Sequence, residues 1–128
     1  MNYAEMSDAQ IAEAVFEAAY DGTPDFKESP CGGIVIIGYE HDIIDGEDVE
    51  MEVEYGIFNP CNNPADIWPL IVESEISILV GKECSAFAFH KVNRDAEDRP
   101  CGYDFSFSCK NALRAAAIVY LMMKEAGK

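Results

Sequence analysis

Positive charge is what this chain has least of. Nine Lys and Arg stand against 24 Asp and Glu, giving a formal net charge of -15 over 128 residues. Such a surface repels phosphate backbones and anionic lipid, which argues against direct DNA or RNA binding and against a membrane role. Long apolar runs are missing too. The longest, Ala115 to Met123, falls well short of the roughly 18 to 20 residues of a membrane span and reads as a buried helix. The five cysteines, Cys31, Cys61, Cys84, Cys101 and Cys109, are odd in number and form no CxxC pair. No charged-then-apolar signal segment opens the chain, so no disulfide framework is expected and a reducing cytoplasm is the expected setting. Glycine-rich phosphate loops of the GxGxxG or GxxxxGK kind are absent as well. What the chain does have is 49% apolar and 11% aromatic residues, enough for one core spanning residues 1–128 and too many for disorder.

The pattern along the chain predicts three helices and about five strands in the order αββαβββα. Ser7 with Gln10 spells a capping box, so the first helix starts at Asp8. Ile11, Val15 and Ala19 give it an apolar stripe, and Asp21-Gly22 and Pro24 stop it. Residues Asp21 to Gly33 read as a loop. The β-branched run Ile34 to Ile37 suits a strand covered on both faces. From Val49 to Tyr55, apolar residues alternate with Glu50, Glu52 and Glu54, predicting a strand with one buried face and one face of carboxylates. Asp45-Gly46 between the two runs predicts a hairpin with a loop longer than the tightest kind. Asn63-Pro64 is a helix start, and Pro69 requires that helix to be brief, kinked or ended early. Two strands flanking Gly81-Lys82, about Ile76 to Val80 and Cys84 to Lys91, read as a second hairpin. Val92 to Gly102 reads as an exposed loop and Tyr103 to Ser108 as a strand whose aromatic face is core. The last helix, about Asn111 to Glu125, is apolar nearly all round and must be covered on more than one side. The fold class expected is α+β, a mainly antiparallel sheet packed with three helices.

The acidic strand draws most attention. Alternate residues on a strand stand roughly 6.6 Å apart, a separation of the same order as that of neighbouring phosphates on a nucleic acid strand. Asp45, Glu47, Asp48, Glu50, Glu52 and Glu54 are therefore candidates for a phosphate-like ladder facing a basic protein partner. The plainer alternative is a solvated face that guards an edge strand and keeps the protein soluble. Trp68 is a second candidate contact, set against ordinary core packing. Lys110 and Arg114 flank the start of the last helix, where free N–H groups attract anions; the alternative is that both pair with carboxylates. His41, Asp42, His90, Cys101 and Cys109 have no metal-ligand spacing, so no metal or cofactor is expected. Cys31, beside Gly32-Gly33, is the one cysteine in a setting that suits a nucleophile, and no histidine is placed against it by sequence.

Two stretches carry a resemblance. Tyr55-Gly-Ile-Phe-Asn-Pro-Cys-Asn-Asn-Pro-Ala-Asp-Ile-Trp-Pro-Leu-Ile-Val-Glu, continuing to Ile78, and Asn111-Ala-Leu-Arg-Ala-Ala-Ala-Ile-Val-Tyr-Leu-Met-Met-Lys-Glu resemble small phage and prophage proteins of the NinX-like group. The shared pieces are a proline-bearing turn after a tyrosine, a short helix with Pro-Leu-Ile, a strand opening with isoleucine, and an alanine-rich last helix behind a small polar cap. The resemblance implies an α/β sandwich and a phage or prophage origin, hence a bacterial host cytoplasm. It carries no activity and no catalytic residue with it. The expectation is therefore a non-enzymatic accessory protein that binds a protein partner through its acidic strand. The alternatives are a small cysteine- or metal-dependent enzyme and a structural oligomer. A homodimer would arise if the apolar last helix needed a second copy to cover it.

Overall fold

The computed structural model describes residues 2–22, 24–81 and 86–127. Helix α1 spans Asp8–Tyr20, and its capping box is complete: the Ser7 hydroxyl accepts from the Gln10 N–H and the Gln10 side chain accepts from the Ser7 N–H. It ends where Asp21 turns left-handed at φ 53°. Helix α2 spans Pro64–Glu73 behind an Asn63 cap. Pro69 lies inside it without ending it, since losing one N–H in a helix this short leaves a single orphaned carbonyl. Helix α3 spans Ala112–Ala126, and the Asn111 side chain accepts from the N–H groups of Leu113 and Arg114.

The strands form two antiparallel sheets of three rather than one sheet of about five. The first holds β1 (Phe26–Glu28), β2 (Ile34–Ile44) and β3 (Glu47–Phe58) in that order; the second holds β4 (Ile76–Val80), β5 (Ala86–Arg94) and β6 (Pro100–Cys109). The α+β class stands. Strand β1 falls inside the stretch read as a loop, because three residues carry too little pattern to announce a strand. The strands on either side of the expected Val92–Gly102 loop pair as a further hairpin and are longer than expected. Strand β5 runs on to Arg94 and β6 begins at Pro100, which reduces the Val92–Gly102 loop to Asp95–Arg99. There the Asp95 carboxylate accepts from the N–H groups of Glu97 and Arg99, letting polar residues close a tight turn. Cys84 and Lys82 lie outside the described residues.

Helix α3 is the centre of the molecule. Ala115 through Leu121 are all buried, and the helix packs on α1, α2 and all three strands of the second sheet. Its small alanines let β5 come close, where Ala86 and Ala88 are buried in turn. The chain's own elements thus cover the apolar helix, and no second copy is needed for it. One core cluster joins Ile11 and Val15 of α1, Ile34 and Phe58 of the first sheet, Ile67 and Ile71 of α2, Ile76 and Ala88 of the second sheet, and α3.

The first sheet is pinned to this core at one end only. Ile34 pairs with Phe58 across β2 and β3, and the Phe58 ring meets Phe16 of α1 edge-on at 5.4 Å. The turn into β2 depends on Gly33, at φ 76°. A Cβ there would lie 2.4 Å from the Phe58 carbonyl oxygen and 2.7 Å from the Asn59 Cβ. Glycine is what lets the start of β2 and the end of β3 approach.

Candidate functional site

Past Ile37, where the pairing with β1 has ended, β2 and β3 form a hairpin arm that no other described element covers. Every residue from Tyr39 to Asp48 is exposed. At its tip Asp45 (φ 53°) and Gly46 (φ 80°) are both left-handed, and Ile44 pairs directly with Glu47. This is the two-residue type I′ turn, the tightest hairpin loop rather than a longer one. The loop looked longer in sequence because Glu40, His41 and Asp42 broke the apolar pattern of β2.

The turn fixes which side chains share a face. Glu54, Glu52, Glu50 and Asp48 pair with Ile37, Tyr39, His41 and Ile43, so these eight point to one side. Val53, Met51, Val49 and Glu47 pair with Gly38, Glu40, Asp42 and Ile44 on the other. Four of the six expected carboxylates are therefore in one row. Asp45 sits in the turn and Glu47 on the opposite face.

The row is not uniformly bare. The Lys27 ammonium of β1 reaches across β2 to Glu52 at 2.5 Å and to Glu54 at 3.9 Å. The Glu52 hydrogen bond holds the Lys27 pKa above its ordinary value. His41 Nδ1 stands 3.5 Å from Asp48. Glu50 has no ion pair among the described residues.

The apolar row departs from expectation more sharply. It continues the core-facing side of β2 past the end of the core, so Met51 is 45% and Tyr55 63% exposed, while Val49 and Val53 are half-buried. Alternation reported a strand, but not what would cover it. Tyr55 is the extra residue of a bulge opposite Ile36 and Ile37, and its ring lies on Gly38, where a Cβ would come within 2.4 Å of it. Neither the β2 half of the arm, with Tyr39, Ile43 and Ile44, nor Lys27 stood out in the sequence. Pairing outward from Asp45-Gly46 as a two-residue turn would have found the β2 half.

The remaining candidates lie elsewhere. Trp68 is on α2 and 58% exposed, with Val72 a turn further on at 60%. Lys110 is exposed after β6, but the Arg114 side chain turns inward. Its Nη1 donates to Asp8 Oδ1 at 2.7 Å and its Nη2 to the carbonyls of Tyr3 and Met6. The carboxylate against Arg114 is thus the chain's own, and Asn62 donates to the other Asp8 oxygen at 3.0 Å. Cys31 and Cys101 are exposed free thiols and Cys109 is half-buried. Cys61 is fully buried, and burial, with Asp8 nearby, pushes its thiol up to about 12, far from thiolate chemistry. Among the described residues no three His, Cys, Asp or Glu side chains cluster as metal ligands, and no helix is long and apolar enough to cross a membrane.

A comparison with curated proteins finds no match. The family described as Bacteriophage P22, NinX matches residues 2–124, which takes in every element from the first turn to most of α3. That span includes the arm as well as the two stretches that carried the resemblance, and the chain belongs to this phage NinX family.

Proposed function

We propose that this phage protein acts by binding, not by catalysis, and that the β2–β3 arm is the part that meets a basic protein partner. One observation carries the reading: a single hairpin, standing clear of the core, presents a row of carboxylates on one face and an uncovered apolar row on the other. Charge of one sign steers a basic partner in and fixes its register, while the apolar row supplies area to bury. The spacing of Asp48, Glu50, Glu52 and Glu54 follows that of strand phosphates, so the partner is of the kind that otherwise holds a nucleic acid.

The test is retention of a bacterial host's proteins on the immobilised chain at 50 and 300 mM salt. Wild type is compared with a Glu50→Gln, Glu52→Gln, Glu54→Gln variant. The expected result is a basic protein held by wild type at low salt, released at high salt and lost by the variant. Retention indifferent to both salt and the substitutions sinks the proposal.

A further inference from the structure

Resting on that reading of the arm, we propose that β3 takes up its partner as an added antiparallel strand, and that the strand carries Lys or Arg at every second position with apolar residues between. Strand β3 lies at the edge of its sheet, bonded to β2 on one side and to no described strand on the other. The turn decides which backbone groups face outward. In a two-residue hairpin the pair flanking the turn exchanges both hydrogen bonds, and bonded and non-bonded pairs then alternate along the strands. Ile44–Glu47 is that flanking pair, so Glu47, Val49, Met51 and Val53 spend their N–H and C=O on β2. Asp48, Glu50, Glu52 and Glu54 turn theirs to the open edge.

The residues with outward backbone groups are therefore the ones with carboxylate side chains. An added strand must place a residue directly opposite each of them on the same face, where like charge is destabilising and opposite charge stabilising. The alternate partner residues face Val49, Met51 and Val53 in the closer, non-bonded pairs, where apolar side chains pack best. A second copy of this chain does not fit that description. Pairing β3 with itself sets carboxylate against carboxylate, and the chain has only nine basic residues to offer anywhere. The recognised object is an extended, alternating basic and apolar segment, with main-chain bonds giving affinity and the charge pattern giving choice.

The probe is a nine-residue peptide alternating Lys and Val, set beside a peptide of the same composition with its lysines in one block. Binding is measured by titration calorimetry at 50 mM salt, and amide exchange of the protein by NMR. The alternating peptide should bind at least tenfold more tightly than the block peptide. It should slow exchange at the amides of Asp48, Glu50, Glu52 and Glu54 and leave Glu47, Val49, Met51 and Val53 unchanged. N-methylation at lysine positions, whose N–H groups face β3, should weaken binding at least tenfold, whereas methylation at valine positions should cost less than threefold. These peptide variants leave the protein's own fold untouched. Equal binding of alternating and block peptides, or equal effects of the two methylations, overturns strand addition. If that binding is still weakened by Glu50→Gln and Glu54→Gln, the arm remains a charged docking face. Absence of binding by any basic peptide, or binding indifferent to those substitutions, removes both proposals. Self-association that protects the same four amides without peptide also overturns the inference.

Discussion

Gly33 should be the least replaceable of the glycines whose surroundings are described. Two separable costs meet at it. Its φ of 76° is left-handed, which costs an L residue about 1–2 kcal/mol. Its Cβ would also stand 2.4 Å from the Phe58 carbonyl oxygen and 2.8 Å from the Asn59 Cα, both backbone atoms that cannot swing aside. Forcing a methyl group into such packing costs a further ~1–3 kcal/mol. Gly33→Ala should therefore lose about 2–5 kcal/mol, a large part of the 5–15 kcal/mol typical of a domain, on the order of what a 1–2 M shift in urea midpoint reports. Gly46→Ala isolates the first cost, because its φ is 80° but nothing lies within 4 Å of the added carbon. It should lose about 1 kcal/mol. Gly22 has neither a left-handed φ nor a near neighbour, and Gly22→Ala should fall within about 0.5 kcal/mol of wild type. Urea unfolding followed by circular dichroism ranks the three. If Gly33→Ala costs no more than Gly46→Ala, the close approach that anchors the arm is wrong.

Other outcomes follow from the same geometry. Burial raises the folded pKa of Cys61 from 9.0 to about 12, so its contribution is complete below pH 9 and is lost as pH rises toward 12. Denaturation between pH 9 and 11.5 should show a falling stability, and Cys61→Ala should flatten it by up to about 1.4 kcal/mol per pH unit. Thiol reagents followed by mass spectrometry should label Cys31 and Cys101 first and leave Cys61 unlabelled until unfolding. A double-mutant cycle with Asp8→Ala and Arg114→Met should give a coupling of about 1–2 kcal/mol, between values for exposed and buried pairs, since the side chains are 34% and 17% exposed. A coupling near zero would mean the pair does not tie α1 to α3. Trp68, the single tryptophan, should emit as a solvated indole open to acrylamide, and Trp68→Phe should change stability by less than about 0.5 kcal/mol.

Much of the fold was written locally. Ser7 with Gln10, and Asn63 with Pro64, marked two helix starts because a cap is chosen by its own nearest N–H groups. The alanine-rich last helix told of its burial because it is apolar all round. What sequence did not tell was how the strands were shared out. Two separate sheets and one larger sheet make the same demands on each strand, and only contacts distant in sequence separate them. The acidic row was half legible. Its alternation placed Glu50, Glu52 and Glu54 together, but assigning Asp45 and Glu47 to the row ignored the turn and the change of face that follows it. The expectation of a buried apolar face failed for a related reason: periodicity records a difference between two faces and says nothing of whether a partner element exists. Arg114 looked available to an anion because its partner Asp8 is more than a hundred residues away.

The central helix also comes after every other described element. While a ribosome is still making residues before Ala112, Ile11 and Val15 of α1 and the alanine face of β5 have nothing to close over. The body can therefore assemble only after synthesis has passed α3. The arm is different, since its strands pair with each other across a two-residue turn and are complete long before. During synthesis this hairpin, like the one between β5 and β6, can pair before the body closes, and its acid row sets like charge against other nascent copies.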